Sequence, residues 1–170
     1  MSKYILSVLV ENNPGALARI SGLFSRRGFN IDSLAVGVTE NPLISRMTIV
    51  VCGDEYIVGQ VSKQLKKLID VIEIKRLEKE SSVVRELGFI KVSTEDKNRT
   101  EIAQVVEIFR AKIVDISRKS LVIEISGVGE KIDALIDLVE PFGIEEIVRT
   151  GTISIGRGES GSGSWKAESE

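Results

Sequence analysis

The chain has 170 residues, a formal net charge of −2 and a pI near 5.5. Apolar residues make up 42% and charged residues 28%, which predicts a soluble globular protein of one ordinary domain or two small ones. The acidic balance offers no footprint for nucleic acid, and the apolar runs fall far short of the roughly 20 residues that span a bilayer. Histidine is absent, which removes the commonest general base and the commonest transition-metal ligand. With a single cysteine, Cys52, no zinc site of the usual kind can be built within one chain.

Residues 1–4 lead straight into an alternating pattern, so no signal peptide is expected. One cysteine fits a reducing cytoplasm. Residues 4–10 read as a strand rich in Ile, Leu and Val. Asn12-Asn13-Pro14-Gly15 breaks it, and Ala16, Leu17, Ile20, Leu23 and Phe24 follow at helical spacing. A helix is expected over about 14–27, with Asn13 as N-cap, Pro14 at the first helical position and Gly28 past its end. Strands are expected at 31–39 and 44–52, joined by a turn at Glu40-Asn41-Pro42. Gly53-Asp54 opens a second helix whose face carries Val58, Val61, Leu65 and Leu68, and 71–77 is a fourth strand.

The second half repeats this order. A strand at 83–93 is followed by a polar break at Asp96-Lys97-Asn98 and a helix marked by Ile102, Val105, Val106 and Phe109. Strands at 113–117 and 121–126 flank Arg118-Lys119-Ser120. Ile132, Leu135, Ile136 and Val139 mark another helix, ended by Pro141 and Gly143, and 147–155 is a last strand. Two βαββαβ halves imply an α+β chain of two ferredoxin-like domains in tandem. The expected divisions are 1–77, a charged linker at 78–82, a second domain at 83–157 and a disordered Gly/Ser-rich tail at 158–170 that contains Trp165. The first-half strands are apolar at nearly every position, which suggests burial of both faces or of an edge and hence oligomerisation. The alternative is a well-filled core with a few exposed aliphatics.

Glu11-Asn12-Asn13-Pro14-Gly15-Ala16-Leu17 sits where a strand gives way to a helix. The first N–H groups of a helix lack internal partners, and the helix dipole adds positive potential, so a small carboxylate is a natural ligand there. Pro14 has no N–H, which leaves Gly15, Ala16 and Leu17 as donors. Gly15 admits close approach, and Asn12 carries both a donor and an acceptor. Together these describe a receptor for an α-amino acid; by spacing alone, a capped helix start after a turn is the commoner meaning. Asn30, in Gly28-Phe29-Asn30-Ile31-Asp32, is a polar residue at a helix-to-strand boundary that also suits a turn.

Other patterns point less far. Gly127-Val128-Gly129-Glu130 precedes a helix but matches no phosphate-binding fingerprint. Glu145 and Glu146 are neighbours, so on a strand they face opposite ways. Cys52 ends an apolar strand and reads as buried filler. A sheet-based RNA binder wants aromatics on its central strands and a basic face, whereas the expected strands carry Ile, Leu and Val and aromatics are 5% overall.

The βαββαβ plan with an Asn-x-x-Gly-Ala-Leu loop resembles the ACT domain, a small-molecule sensor. The segments Ile5–Asn12, Gly15-Ala16-Leu17, Gly22–Ser25, Arg27-Gly28, Asn30-Ile31 and Ser45–Ile49 resemble the acetolactate synthase small-subunit family more closely. In the second half Arg85-Glu86-Leu87, Glu107–Arg110 and Ile113-Val114-Asp115 follow the same pattern, so the resemblance covers roughly 3–157. It implies a non-catalytic regulatory subunit of branched-chain amino-acid biosynthesis (valine, isoleucine, leucine). Such a subunit activates a large catalytic subunit and confers feedback inhibition, chiefly by valine. The implied ligand residues are Asn12, Gly15, Ala16 and Leu17 of one protomer, with Asn30 and Ile31 of the other protomer of an ACT homodimer. Thiamine diphosphate, magnesium and FAD are expected on the large subunit and none in this chain. Neither a nucleic acid nor a membrane is an expected partner, and the expected location is the cytoplasm. Competing readings are a free-standing ACT-type sensor acting on a different enzyme or regulator, a ferredoxin-like enzyme using carboxylates, and an RNA-binding module.

Overall fold

A computed structural model describes residues 2–94 and 98–158. Asp96, Lys97, Trp165 and the expected tail beyond Gly158 lie outside the described residues. The chain divides into two compact units, 1–83 with 152–170, and 84–151.

In the first unit β1 (Ser2–Glu11), α1 (Ala16–Arg27), β2 (Ile31–Val38), β3 (Ile44–Gly53), α2 (Glu55–Leu65) and β4 (Val71–Leu77) form the expected βαββαβ order. The sheet runs β2-β3-β1-β4, antiparallel throughout. Alternation along the strands decides the faces. Leu6, Val8 and Val10 of β1 and Met47, Ile49 and Val51 of β3 meet Ile20, Leu23 and Phe24 of α1 and Val58, Val61 and Leu65 of α2. Gly28, at φ 67°, closes α1 by donating its N–H toward Phe24 and Ser25, and Phe29 then packs edge-on against Phe24 at 6.2 Å. Asp54 caps α2, its carboxylate accepting from the Ile57 N–H at 2.9 Å.

The face of this sheet away from the helices carries Ile5, Ser7, Thr48 and Val50, all buried. Residues 152–158 of the same chain lie on it. The Thr152 N–H donates to Ser33 Oγ of β2 at 3.3 Å, β9 (Ile153–Gly156) lies against β4, and the Arg157 N–H donates to the Ser81 carbonyl at 2.8 Å. The apolar excess of the first half is therefore met in part by the chain itself. A groove of about 290 Å³ remains between Ile153, Ser154 and the β2–β3 residues Ala35, Gly37, Arg46 and Thr48.

The second unit repeats the plan with β5 (Ser82–Ser93), α3 (Arg99–Ile108), β6 (Lys112–Ile116), β7 (Ser120–Gly127), α4 (Gly129–Val139) and β8 (Ile144–Arg149), in strand order β6-β7-β5-β8. Ile90, Val92, Leu121, Ile123 and Ile125 pack on Ile102, Val106, Ile132, Leu135 and Val139. The repeat extends to single bonds: the N–H of Glu11 at the end of β1 donates to the Asp70 carbonyl, and that of Ser93 at the end of β5 donates to the Gly143 carbonyl, both at 2.8 Å.

One expected strand is corrected. Residues 147–155 are not continuous: β8 ends at Arg149, Gly151 turns the chain at φ 77°, and β9 follows from Ile153. Residues 84–151 group as the second compact unit, and β9 groups with the first. Cys52 is half-buried, with its sulfur 3.7 Å from an Asp32 oxygen, because it falls on the sheet face opposite the helices.

Candidate functional site

The loop between β1 and α1 differs from its expected form. Helix α1 begins at Ala16, and its N-cap is Gly15 in the left-handed region at φ 86°, with no capping side chain. Asn13 does not cap. Its amide donates to the Glu11 carboxylate at 2.8 Å, and its carbonyl accepts from the Ala16 N–H at 3.3 Å. The Ala16 donor is thus already used, and the N–H groups of Gly15, Leu17 and Ala18 find no acceptor among the described residues. Pro14 is the reason for the shift: a turn that includes a residue without an N–H delays the helix until glycine has turned the chain.

Asn12 is held from three sides. Its N–H donates to the Leu43 carbonyl at 2.8 Å, its amide donates to the Pro42 carbonyl at 2.9 Å, and its side-chain oxygen accepts from Ser45 Oγ at 3.1 Å. The β2–β3 turn therefore sets the loop's position. Leu17 is exposed and Ala16 buried.

Two residues that local spacing cannot find complete the loop. Arg19 and Asp70, 51 positions apart, form a two-pronged pair: Nε donates to Oδ2 and Nη2 to Oδ1, both at 2.6 Å. The Asp70 side chain is nearly buried and Arg19 is half-exposed. Hydrogen bonds from Arg19, reinforced by its charge, hold the Asp70 carboxyl below its ordinary range against the opposing effect of burial. The same bonds raise Arg19. A sequence signal exists only after the fold is known, since α1 and the α2–β4 connection meet across the sheet end.

Asn30 is exposed and Ile31 half-buried at the start of β2. Within one chain they do not join the loop. Ile31 pairs with Val51 on β3, whereas Glu11 pairs with Ile44. Those β3 positions are seven residues apart, about 24 Å at about 3.4 Å per residue.

The other candidates find partners of their own. The start of α4 at Gly129 faces Glu86, whose buried carboxylate accepts from Arg149 at 2.6 and 3.0 Å, while Arg149 also donates to Asp133 at 2.6 Å. Glu145 accepts from Ser93 Oγ at 2.8 Å. Among the described residues no three His, Cys, Asp or Glu side chains converge as a metal site would need, and no helix is long and apolar enough to cross a membrane.

Known proteins match this chain over both units. An "AHAS small subunit-like ACT domain" model matches residues 6–73, and one described as "Small subunit of acetolactate synthase" matches 85–158. The acetolactate synthase small subunit of Mycolicibacterium smegmatis is 53% identical over 163 residues, 96% of each chain. The probable acetolactate synthase small subunit of Archaeoglobus fulgidus is 53% identical over 156 residues, 92% of this chain and 98% of that one. The crystal structure of the small subunit from Thermotoga maritima superposes with a TM-score of 0.87 at 42% identity, covering 93% of this chain and 99% of that one.

Proposed function

This chain belongs to the acetolactate synthase small-subunit family, and from that membership we propose that it is the regulatory partner of a large catalytic subunit, activating it and conferring feedback inhibition by valine or another branched-chain amino acid. The ligand would lie at the loop of Asn12, Gly15, Ala16 and Leu17, facing Asn30 and Ile31 of a second copy. The observation that carries this reading is the placement of the two halves at opposite ends of one sheet whose edge is β2. Antiparallel pairing of two β2 edges would lay residue 30 of one copy beside Val38 of the other. Val38 pairs with Ser45, and Ser45 bonds Asn12. A homodimer so paired would join both halves twice.

The loop suits the ligand chemically. Free N–H groups at the head of α1 accept a carboxylate, and Gly15 has no side chain to exclude it. Valine would regulate by binding two arrangements of the dimer with different affinity, a coupling of about 1–3 kcal/mol in typical cases. In this reading thiamine diphosphate, magnesium and FAD supply the chemistry on the large subunit, and the holoenzyme works in the cytoplasm. The test is calorimetric titration of the protein, alone and with its large subunit, with valine, leucine and isoleucine, beside inhibition of the reconstituted holoenzyme. Saturable heat and inhibition are expected; neither effect with any of the three would refute the assignment.

A further inference from the structure

We propose that Arg19, braced by Asp70, reads the α-carboxylate of the amino-acid ligand at the Gly15 loop; this rests on the sensor reading above. Arg19 lies one helical turn beyond Gly15, its own N–H bonded to the Gly15 carbonyl at 2.9 Å. Side chains on a helix lean toward its N-terminus, so the guanidinium folds back over the loop. Asp70 takes Nε and Nη2. Nη1 is left, and it stands 3.1 Å from the point a Cβ on Gly15 would occupy. The missing side chain of Gly15 is thus replaced by a guanidinium edge, next to the free N–H groups of Gly15 and Leu17.

Three features favour a reading role over a simple staple. First, the rigid fork of Arg lets one edge be fixed by a carboxylate while another donor faces outward. Asp70 fixes both sides of the loop, since its backbone carbonyl holds Glu11 while its carboxylate holds Arg19. Second, the pair is neutral as a whole. It supplies directed donors for a carboxylate without a net cation that would repel the ammonium group of the same ligand, which suits a zwitterion. Third, the second unit does without it. Gly143 takes the place of Asp70 in the equivalent backbone bond. When Ile20 and Ile102, the first residues of α1 and α3 to enter the two hydrophobic core clusters, are aligned, Glu101 stands where Arg19 does. A βα junction of this fold closes without the pair, so the pair answers to something particular to the first loop.

The experiment is calorimetry of the full chain with L-valine and with L-valinamide, which keeps the side chain and ammonium but lacks the carboxylate. The wild type is expected to favour valine at least about 10-fold, the worth of one charged hydrogen bond. In the double variant Arg19→Met/Asp70→Asn, which strands no buried charge, valine affinity is expected to fall about 10-fold or more and the preference over valinamide to approach unity. Arg19→Lys keeps a cation for Asp70 but has no fork, and it should lose the preference too; it decides the matter if the double variant does not fold. Folded variants that bind valine as tightly and as selectively as the wild type overturn the inference while leaving the sensor reading intact. Wild-type protein that binds no valine even with its large subunit overturns both.

Discussion

The Asn12 side-chain amide donates to the Pro42 carbonyl at 2.9 Å, so the residue that opens the loop is tied to a turn 30 positions away. Asn12 therefore has a positioning task whatever else it touches. Asn12→Ala removes this bond and the one from Ser45. The sites are exposed to half-buried, so the expected loss of stability is about 1 kcal/mol, read as a lower urea midpoint at unchanged slope. Because the loop is then free of the β2–β3 turn, the valine concentration for half-inhibition of the holoenzyme should rise as well. An unchanged value would separate Asn12 from the site.

Gly15 is open to an acid test. Its φ of 86° is a conformation that Asp tolerates better than most residues, so Gly15→Asp should fold, with a cost of about 1–2 kcal/mol. The new carboxylate would stand against the Arg19 guanidinium, since the Cβ alone lies 3.1 Å from Nη1. It would occupy the place of a ligand carboxylate and repel one. Loss of valine inhibition in the reconstituted holoenzyme is the expected result, with a thermal melt as the check on folding. Inhibition at the wild-type valine concentration would remove the loop from the binding site.

The periods of apolar residues place the paired βαββαβ units, because each strand or helix turns one periodic apolar face to its core: Leu6, Val8 and Val10 alternate, and Ile20, Leu23 and Phe24 follow helical spacing. Gly28 marked its helix end because only local backbone geometry is at stake there. Asn13 was misleading as a cap, since an Asn before Pro competes between capping and bonding a neighbour, and Glu11 won. The Arg19–Asp70 pair was illegible, because nothing local links two residues that meet only when α1 and the α2–β4 connection pack on one sheet. The break at Gly151 is hidden for a related reason. Residues 147–155 are rich in β-branched Ile, Val and Thr on both sides of Gly151, so composition carries one strand signal straight across the turn.

The Arg149–Glu86 pair anchors the second unit. Arg149→Met would leave the Glu86 carboxylate, only 6% exposed, without its two bonds from Arg149. Stranding a buried charge costs several kcal/mol, but Arg149 is itself 30% exposed, so about 2 kcal/mol is expected after allowing for solvent. Adding Glu86→Gln should recover part of that loss, because a neutral amide is cheaper to leave buried. Urea unfolding of the wild type and the single and double variants tests this. A double variant less stable than Arg149→Met would show that Glu86 is held by something besides Arg149.

Acid should weaken the first unit through Asp70. Its carboxyl titrates below the ordinary range in the folded chain, so the unfolded state binds its proton at higher pH than the folded state. The stabilisation is complete above the unfolded value near 4 and is lost as pH falls through the lower folded value. Glu55, held down by Arg76, follows the same window. The stability gap between wild type and Asp70→Asn is therefore expected to be constant from pH 6 to 8, at about neutral pH, and to narrow below about pH 4. A gap independent of pH would mean that the carboxylate charge contributes nothing.

The two-chain site makes the most discriminating prediction, through mixed dimers. Consider Gly15→Asp in one copy and Asn30→His in the other. If each site takes its loop from one chain and Asn30 from its partner, one site receives both substitutions and the other receives neither. Each homodimer should bind no valine, yet the mixed dimer should recover one wild-type site of its two. The geometry behind this is the separation within a chain, with Ile31 set against Val51 and Glu11 against Ile44 at opposite ends of β3. Two differently tagged copies, co-expressed and purified through both tags, supply the mixed species for calorimetry. Half-stoichiometric binding at wild-type affinity is the expected outcome. No binding by the mixed dimer would show that both residues serve a site within one chain, and the pairing of two β2 edges would lose its main support.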